Sequence, residues 1–350
     1  MLRKAYFVGD LTRPNKAGGY LQRLNAAWFS GLFEPHIRCC GFATSTPRAD
    51  LNGLSFPDFF QALLGDEPKP SLVEAAAALY DIDHPVIDEV MSKFMDGIIF
   101  GFEMSPSLMR SIHRLGGTYV SFRVHPVRFA GDLIFAACSN DPVIDAYLRA
   151  SRLDIENETH GVSIIGSYWR RRSKLSLEPG SVIFIGQTSI DTTVILNGRF
   201  FTFEDIPQEL LSLMRESPTY CVPHPYDREN SILQRIMAAC AAVETRVSLY
   251  EILAVAPSDA TFVTISSGGG REAEEFGHRV IFLSDENYGK NSHKERTYHP
   301  QSHRIFTTRF WRDLFEGRPG RPGGDLSPPF LRETIGKRWG YPLPTEAGPG

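Results

Sequence analysis

Short apolar runs alternate with helical patterns through the middle of the chain, and this alternation constrains the fold more than any other feature. Runs typical of buried strands cover residues 98–102, 118–124, 181–185, 219–222, 262–265 and 278–283, and helical patterns cover residues 106–115, 142–151, 206–216, 230–242, 250–256 and 271–276. Continuously apolar strands separated by helices are typical of parallel sheets covered on both faces. The sequence therefore predicts an α/β protein with Rossmann-like sheets.

The length of 350 residues predicts about two domains. A Pro-Gly turn in residues 174–180 (KLSLEPG) precedes a strand and marks the boundary. We expect Rossmann-like domains at residues 1–176 and 177–316, facing each other across a central cleft. Residues 317–350 are rich in Pro and Gly, with a helical pattern only at 329–338, and predict a largely irregular tail.

The composition narrows the class of protein. The 37 Lys and Arg nearly balance the 41 Asp and Glu, so no overall basic field predicts a nucleic-acid partner. No apolar run approaches the ~20 residues of a spanning helix, and the first ten residues lack the apolar core of a secretory signal. Five scattered cysteines without a CxxC pair are typical of a reduced, cytoplasmic protein and do not predict a zinc site.

Polar residues follow the strand at 181–185 in the segment GQTSID, which contains Gln187, Thr188 and Asp191. In open α/β sheets ligands bind beyond the carboxyl ends of the strands, so Asp191 is a candidate nucleophile or base in the cleft. The alternative is that Asp191 caps a helix or stabilises a turn.

A second strand, at residues 219–222, leads into His224, which lies between Pro223 and Pro225 in the segment PHPYD. The prolines stiffen this loop and hold the imidazole in place. His224 is therefore a candidate for phosphate binding or proton transfer, or else a surface histidine in a rigid turn.

A third strand leads into SSGGGREA, which begins with Ser266, Ser267 and Gly268 and contains Glu272. Small residues before a helix let backbone N–H groups approach a phosphate, and the helix dipole favours the anion. The segment predicts nucleotide-phosphate binding, with Glu272 either accepting from ribose hydroxyls or favouring the helix dipole. It matches neither a P-loop nor a GxGxxG fingerprint.

In the first half, Glu103 follows a strand in GFEMSP, and Arg128 follows the next strand in VHPVRF. Both are candidates for the acceptor side of the cleft. Alternatively Glu103 is a helix-start acid and Arg128 its ion-pair partner.

The segments GQTSID, PHPYD and SSGGGREA with FGHRV, in this order, resemble the nucleotide-binding half of bacterial retaining β-Kdo glycosyltransferases, which act in capsule and lipopolysaccharide assembly. GFEMSP and VHPVRF resemble the acceptor half of the same family. The resemblance covers about residues 97–283. It implies a GT-B-like fold and transfer of Kdo from CMP-β-Kdo with retention.

By this resemblance Asp191 is the nucleophile, Glu103 faces it across the cleft, and His224 with the Ser266–Gly270 loop holds the donor. The implied partners are the sugar-nucleotide donor, a glycan or glycolipid acceptor, and other polysaccharide-assembly enzymes at the inner membrane, with which a cytoplasmic protein would associate peripherally. Neither a cofactor nor a metal is expected. The alternatives are an inverting transferase with Asp191 as general base, a nucleotide-sugar epimerase, and a non-catalytic scaffold.

Overall fold

The computed structural model describes residues 3–13, 22–46, 55–65, 72–155, 160–284, 292–293, 296–324 and 330–339. Its helices and strands form a mixed α/β structure with two main sheets, as the alternation of apolar runs predicts. Among the described residues, no helix combines the length and apolar character needed to cross a membrane.

The first sheet has six strands in the order β15-β5-β4-β3-β1-β2. Strands β1 to β4 are parallel, whereas β5 and β15 are antiparallel to their neighbours, so this sheet is mixed rather than wholly parallel. The strands are β1 (Arg3–Val8), β2 (Phe42–Ser45), β3 (Gly97–Phe102), β4 (Thr118–Val124), β5 (Phe135–Ser139) and β15 (His299–Gln301).

Helices cover both faces of the first sheet and bury its aromatic side chains. Proline in the first turn of several helices has the φ angle that a helix start requires, and the Asp141 carboxylate accepts hydrogen bonds from the backbone N–H of Val143 and Ile144. The helices are α1 (Arg23–Cys39), α2 (Phe56–Leu64), α3 (Leu72–Leu79), α4 (Pro85–Ser92), α5 (Pro106–Arg114) and α6 (Pro142–Ala150). Helix α7 (His160–Arg172) follows them and packs against residues 249–255, beside the second sheet.

Residues 173–181 connect α7 to the second sheet without regular structure, where the Pro-Gly turn predicts a boundary. This sheet has five parallel strands in the order β10-β9-β6-β11-β12. Its strands are β6 (Val182–Ile185), β9 (Thr219–Val222), β10 (Val243–Glu244), β11 (Thr261–Thr264) and β12 (Arg279–Phe282), and its helices are α8 (Gln208–Glu216), α9 (Ser231–Cys240), α10 (Leu249–Val255) and α11 (Gly268–Glu275). Strands β7 (Ile195–Leu196) and β8 (Arg199–Phe200) form one separate pair, and β13 (Ser292–His293) and β14 (Arg296–Thr297) another.

After the second sheet the chain returns to the first. Strand β15 pairs with β5, and helix α12 (Thr308–Phe315) places Trp311, which is fully buried, against Phe33 and Phe100 of the first core. Residues 299–316 therefore lie with the first sheet, whereas the predicted second domain included them. This return could not be predicted from local patterns, because β15 pairs with a strand about 160 residues earlier in the chain.

The tail also packs against the first sheet. Residues 317–324 are irregular and α13 (Phe330–Trp339) is helical, and the rest of the predicted tail, residues 325–329 and 340–350, lies outside the described residues. The buried Asp132 carboxylate accepts the backbone N–H groups of Phe330, Leu331 and Arg332 at 2.7–2.8 Å, and His303 Nε2 lies 2.7 Å from it. One carboxylate thus caps α13 and fixes it to the loop between β4 and β5.

Candidate functional site

The order of strands reverses at one point in each sheet. In the first sheet the chain passes from β1 to β2 on one side and then to β3 on the other. In the second sheet it passes from β6 through β9 to β10, and then to β11 on the opposite side. Such switch points open a crevice at the carboxyl ends of the two central strands, where open α/β sheets bind ligands.

Gln187 holds the second switch point together. Its Oε1 accepts the backbone N–H of Ser266 (2.7 Å) and the Thr264 hydroxyl (3.3 Å), and its Nε2 donates to the hydroxyls of Ser266 and Thr193 (both 3.2 Å). These four bonds use the full capacity of the amide. Gln187 and the fully buried Ser266 therefore position the loops around the crevice. Their side chains are hydrogen-bonded to other residues of the protein, and the predicted binding of the sugar-nucleotide donor by them stays a prediction.

Asp191 is half-buried at the start of the 3-10 helix Thr192–Val194. Its Oδ1 accepts the backbone N–H of Thr193 (3.2 Å) and the Thr192 hydroxyl (3.3 Å), so the capping role considered from the sequence is present. Both bonds go to Oδ1, which leaves Oδ2 outside this cap. The backbone carbonyl oxygen of Thr188 accepts the Asp191 backbone N–H at 3.5 Å.

His224 lies in a tight turn that Asp227 and Asn230 stabilise. The Tyr226 backbone N–H donates to His224 Nδ1 (3.2 Å), and Asp227 Oδ2 accepts the Ser189 backbone N–H (2.6 Å), which joins this turn to the loop that carries Asp191. Burial lowers the pKa of His224, as does the Arg128 cation, while the negative charge of Asp191 raises it. The imidazole is therefore neutral near pH 7, and because Nδ1 accepts the Tyr226 N–H, the ring proton lies on Nε2.

The glycines of SSGGGREA are helical, whereas the sequence predicted a loop before the helix. Ser267 is the N-cap, and its hydroxyl accepts the Gly269 backbone N–H (3.2 Å). A Cβ at Gly268 would lie 3.1 Å from the Pro126 carbonyl oxygen, and one at Gly270 2.7 Å from Phe282. The glycines thus allow the first turn of α11 to pack closely, and its N-terminus adjoins the His125–Pro126 segment of the first sheet.

Glu272 connects the two sheets. It is 3% exposed, and its Oε1 accepts the Arg128 backbone N–H (2.8 Å) and the Tyr250 hydroxyl (2.7 Å). Burial raises the pKa of Glu272, although Arg128 and Tyr250 oppose the rise. The donor-ribose role predicted for Glu272 remains a prediction. In this structure the Glu272 carboxylate is hydrogen-bonded to the Arg128 backbone and the Tyr250 hydroxyl.

We expect Tyr250→Phe to lower the free energy of unfolding by about 1 kcal/mol, because a buried carboxylate oxygen loses a hydrogen-bond donor. Urea unfolding measures this change. Tyr226→Phe is the matched control, since Tyr226 is 64% exposed and its loss of a hydroxyl should leave stability unchanged. Equal stability of the two variants would mean that the Glu272 contact contributes nothing to the joint between the sheets.

Glu103 lies directly after β3 with φ = 52°, a conformation that is rare for a residue with a Cβ. Its backbone N–H donates to the Phe122 carbonyl (2.7 Å). Burial raises the pKa of Glu103 to about 7, with the Asp191 charge as the next cause. Backbone strain and a shifted carboxyl together are typical of functional sites.

Asp10 is the acid that sequence reasoning missed. It follows β1 at the first switch point, is fully buried, and accepts the backbone N–H (3.0 Å) and hydroxyl (2.6 Å) of Thr12 through Oδ1. Among the described residues, no hydrogen-bond donor reaches its Oδ2. The available signal was an acid shortly after an apolar strand, a pattern of the kind that pointed to Asp191.

The predicted residues from the two halves affect one another electrostatically. Asp191, which follows β6, raises the pKa of Glu103, which follows β3. Asp191 and Arg128, which follows β4, act in opposite directions on His224. Asp191, Glu103, His224 and Arg128 therefore lie within electrostatic range of one another in the pairs just named, and a shared site for them stays a prediction. No group of three His, Cys, Asp or Glu side chains arranged to hold a metal occurs in the described part of the chain.

No protein-family model matches the sequence, and no curated protein matches it. Among solved structures, the chain is similar to a β-Kdo 2,7 transferase, KpsC of Thermosulfurimonas dismutans, at 12% identity and a TM-score of 0.37. The match covers 80% of this chain and 79% of the transferase chain. Because both identity and TM-score are low, the activity of this chain has to be inferred from its own contacts.

Proposed function

We propose that the protein is a glycosyltransferase that moves a sugar from a nucleotide donor to a glycan or glycolipid acceptor with retention of configuration. The observation that carries this proposal is the position of Asp191 and Glu103, two carboxyl groups that follow central strands of different sheets, and the charge of Asp191 raises the pKa of Glu103. A retaining transfer by two displacements needs two carboxyl groups beside the anomeric carbon, one as nucleophile and one as acid/base.

In the first displacement, Asp191 attacks the anomeric carbon as the bond to the donor phosphate breaks. The leaving phosphate needs stabilisation of its negative charge rather than a proton. Arg128 supplies a positive charge, and Nε2 of the neutral His224 can donate a hydrogen bond. The N-terminus of α11, at Ser267 and Gly268, adds backbone N–H groups and the positive end of the helix dipole.

In the second displacement, an acceptor hydroxyl attacks the anomeric carbon and the bond to Asp191 breaks. The hydroxyl must lose its proton, and Glu103 is the group that takes it in this proposal. A carboxyl with a pKa of about 7 is half ionised at neutral pH and accepts a proton more readily than an ordinary glutamate.

The donor in this proposal is CMP-β-Kdo, on the strength of the motifs GQTSID, PHPYD and SSGGGREA. No metal or cofactor takes part, since His224, Arg128 and the helix N-terminus supply the charge stabilisation. The acceptor lies on the side of the first sheet, where Glu103 and Arg128 follow their strands.

A second candidate, an inverting transferase, is favoured by one observation. Asp191 caps the helix Thr192–Val194 through Oδ1, and this contact fixes its orientation as it would for a general base. Inverting transfer forms no covalent adduct, so a sugar trapped on Asp191 would distinguish the two mechanisms.

We expect CMP to stabilise the protein against heat more than UDP, GDP or ADP does. At 100 times its dissociation constant, a ligand that binds only the folded state adds about 2.7 kcal/mol. Thermal unfolding with each nucleotide measures the effect, and His224→Ala should reduce the shift given by CMP. Equal shifts with CMP and UDP would contradict the proposed donor, and no shift with any nucleotide would favour a non-catalytic scaffold.

A further inference from the structure

Asp10 and Glu103 occupy equivalent places at the first switch point, each directly beyond one of the two central strands. Residue Val8 of β1 pairs with Gly101 of β3, so the segments that carry the two acids leave the sheet side by side. We propose that Asp10 is a positioning residue for Glu103, which holds the loop after β3 in place and presents a neighbouring negative charge to the Glu103 carboxyl. This inference rests on the proposed role of Glu103 as acid/base.

A chain of hydrogen bonds joins the two loops. Asp10 Oδ1 accepts from the Thr12 hydroxyl (2.6 Å), and the Thr12 hydroxyl lies 3.1 Å from the Ser105 hydroxyl. Ser105 is fully buried and is the N-cap residue of α5, two positions after Glu103. The strained backbone of Glu103 is thus held between β3 and a residue anchored to Asp10.

The second oxygen of Asp10 makes this arrangement unusual. Oδ2 is buried, and no donor among the described residues reaches it. Buried polar atoms are nearly always hydrogen-bonded, and an orphaned carboxylate oxygen destabilises the fold. A helix cap or a loop anchor needs only Oδ1, so anchoring alone does not account for an acid with an open oxygen at this position.

An electrostatic role accounts for it. Among the described residues, Asp191 and Asp10 raise the pKa of Glu103, whereas Arg13 and Arg123 lower it. Asp191 would become an uncharged ester in the covalent intermediate of the proposed mechanism. Asp10 is then the acid that still favours the protonated form of Glu103, so the proton is retained after the acceptor has been deprotonated.

The test is a pH titration of Glu103 that is monitored by NMR of protein labelled with ¹³C at the glutamate carboxyl. The Glu103 signal is assigned as the one that is lost in Glu103→Gln. We expect a midpoint near 7 in the unaltered protein. Asp10→Asn should lower this midpoint by roughly half a pH unit or more, because a like charge is removed. Asp10→Glu should keep it raised. Asp96→Asn is the matched control, since Asp96 lies at the amino-terminal end of β3, whereas Glu103 follows the carboxyl-terminal end.

An unchanged midpoint in folded Asp10→Asn would overturn the inference. If that variant does not fold, the unaltered protein still decides the question. Coupled acids titrate together, so the Glu103 signal should show a second inflection as Asp10 ionises, and a single-step curve would overturn the inference equally. Neither measurement needs donor or acceptor. Failure of sugar transfer with a shifted midpoint would therefore contradict only the proposed function.

Discussion

Asp191→Asn should lower the turnover of sugar transfer by three or more orders of magnitude while leaving CMP binding intact. The substitution keeps the size of the side chain and its capping oxygen but removes the charge that attacks the anomeric carbon. A group used mainly in the transition state affects turnover far more than ground-state binding. Steady-state kinetics with a CMP-sugar donor, combined with the CMP thermal shift, measures both effects.

Two comparisons make this result specific. Asp141→Asn alters another capping acid, in α6, which is remote in the sequence from both switch points and should leave turnover unchanged. His224→Ala should weaken donor binding as well as turnover, because the imidazole contributes to holding the phosphate in the proposal. If Asp191 serves only as a cap, Asp191→Asn would cost about 1 kcal/mol at most and turnover would stay near normal, and the covalent mechanism would have to be abandoned.

Asp132→Ala should produce the largest loss of stability, about 3–5 kcal/mol in the free energy of unfolding. The substitution leaves the backbone N–H groups at the start of α13 without their acceptor, and it removes the partner of His303. In the unaltered protein the Asp132 carboxylate also accepts the Leu133 backbone N–H within its own loop (2.7 Å), so it joins α13 to that loop. Without this carboxylate, helix α13 should detach. Urea unfolding measures the loss, and hydrogen exchange at residues 331–332 locates it.

The loss should depend on pH. Burial opposes ionisation of Asp132, but His303 and the backbone N–H groups hold its pKa below the ordinary 3.8. A depressed carboxyl pKa stabilises the fold above the unfolded-state pKa, and this contribution disappears as pH falls through the folded-state value. The difference between Asp132→Ala and the unaltered protein should therefore narrow below about pH 4. Asp141→Ala, which removes a half-buried cap, should cost only about 1 kcal/mol. An equal cost for both variants would contradict the role of Asp132 in fixing α13 to the loop between β4 and β5.

The sequence predicted most of the strands and helices of residues 97–283 because each is a local pattern, but it did not predict β5 or α7. Buried strands are continuously apolar, and helices begin at recognisable caps, so β3, β4 and β6 lie within a residue of their predicted bounds. The first ten residues were judged only as a possible leader, and β1 with Asp10 was missed. The neighbours of a strand are set by long-range pairing, and nothing local distinguished β1 as a central strand.

The site residues show the same limit. Strand ends pointed to Asp191 and Glu103, and the charge of Asp191 raises the pKa of Glu103. The sequence did not reveal that the Gln187 amide makes four hydrogen bonds to other residues of the protein. Nor did it reveal that Gly268 begins a helix that packs against Pro126. Which side chains face a ligand and which hold the crevice open depends on contacts between distant segments, such as those of residues 187 and 266.

Strand β15 has a consequence for the order of events during synthesis. The first sheet receives β5 at residue 139 but its last strand only at residue 299, so about 160 residues, including the whole second sheet, leave the ribosome in between. At ~5–20 residues per second this interval is roughly 10–30 s. Throughout that time the outer edge of β5 is unpaired, and Phe33 and Phe100 lack their contact with Trp311. The nascent first half therefore exposes an open strand edge and apolar side chains during this interval, and the second sheet, encoded later, completes its hydrogen bonding first.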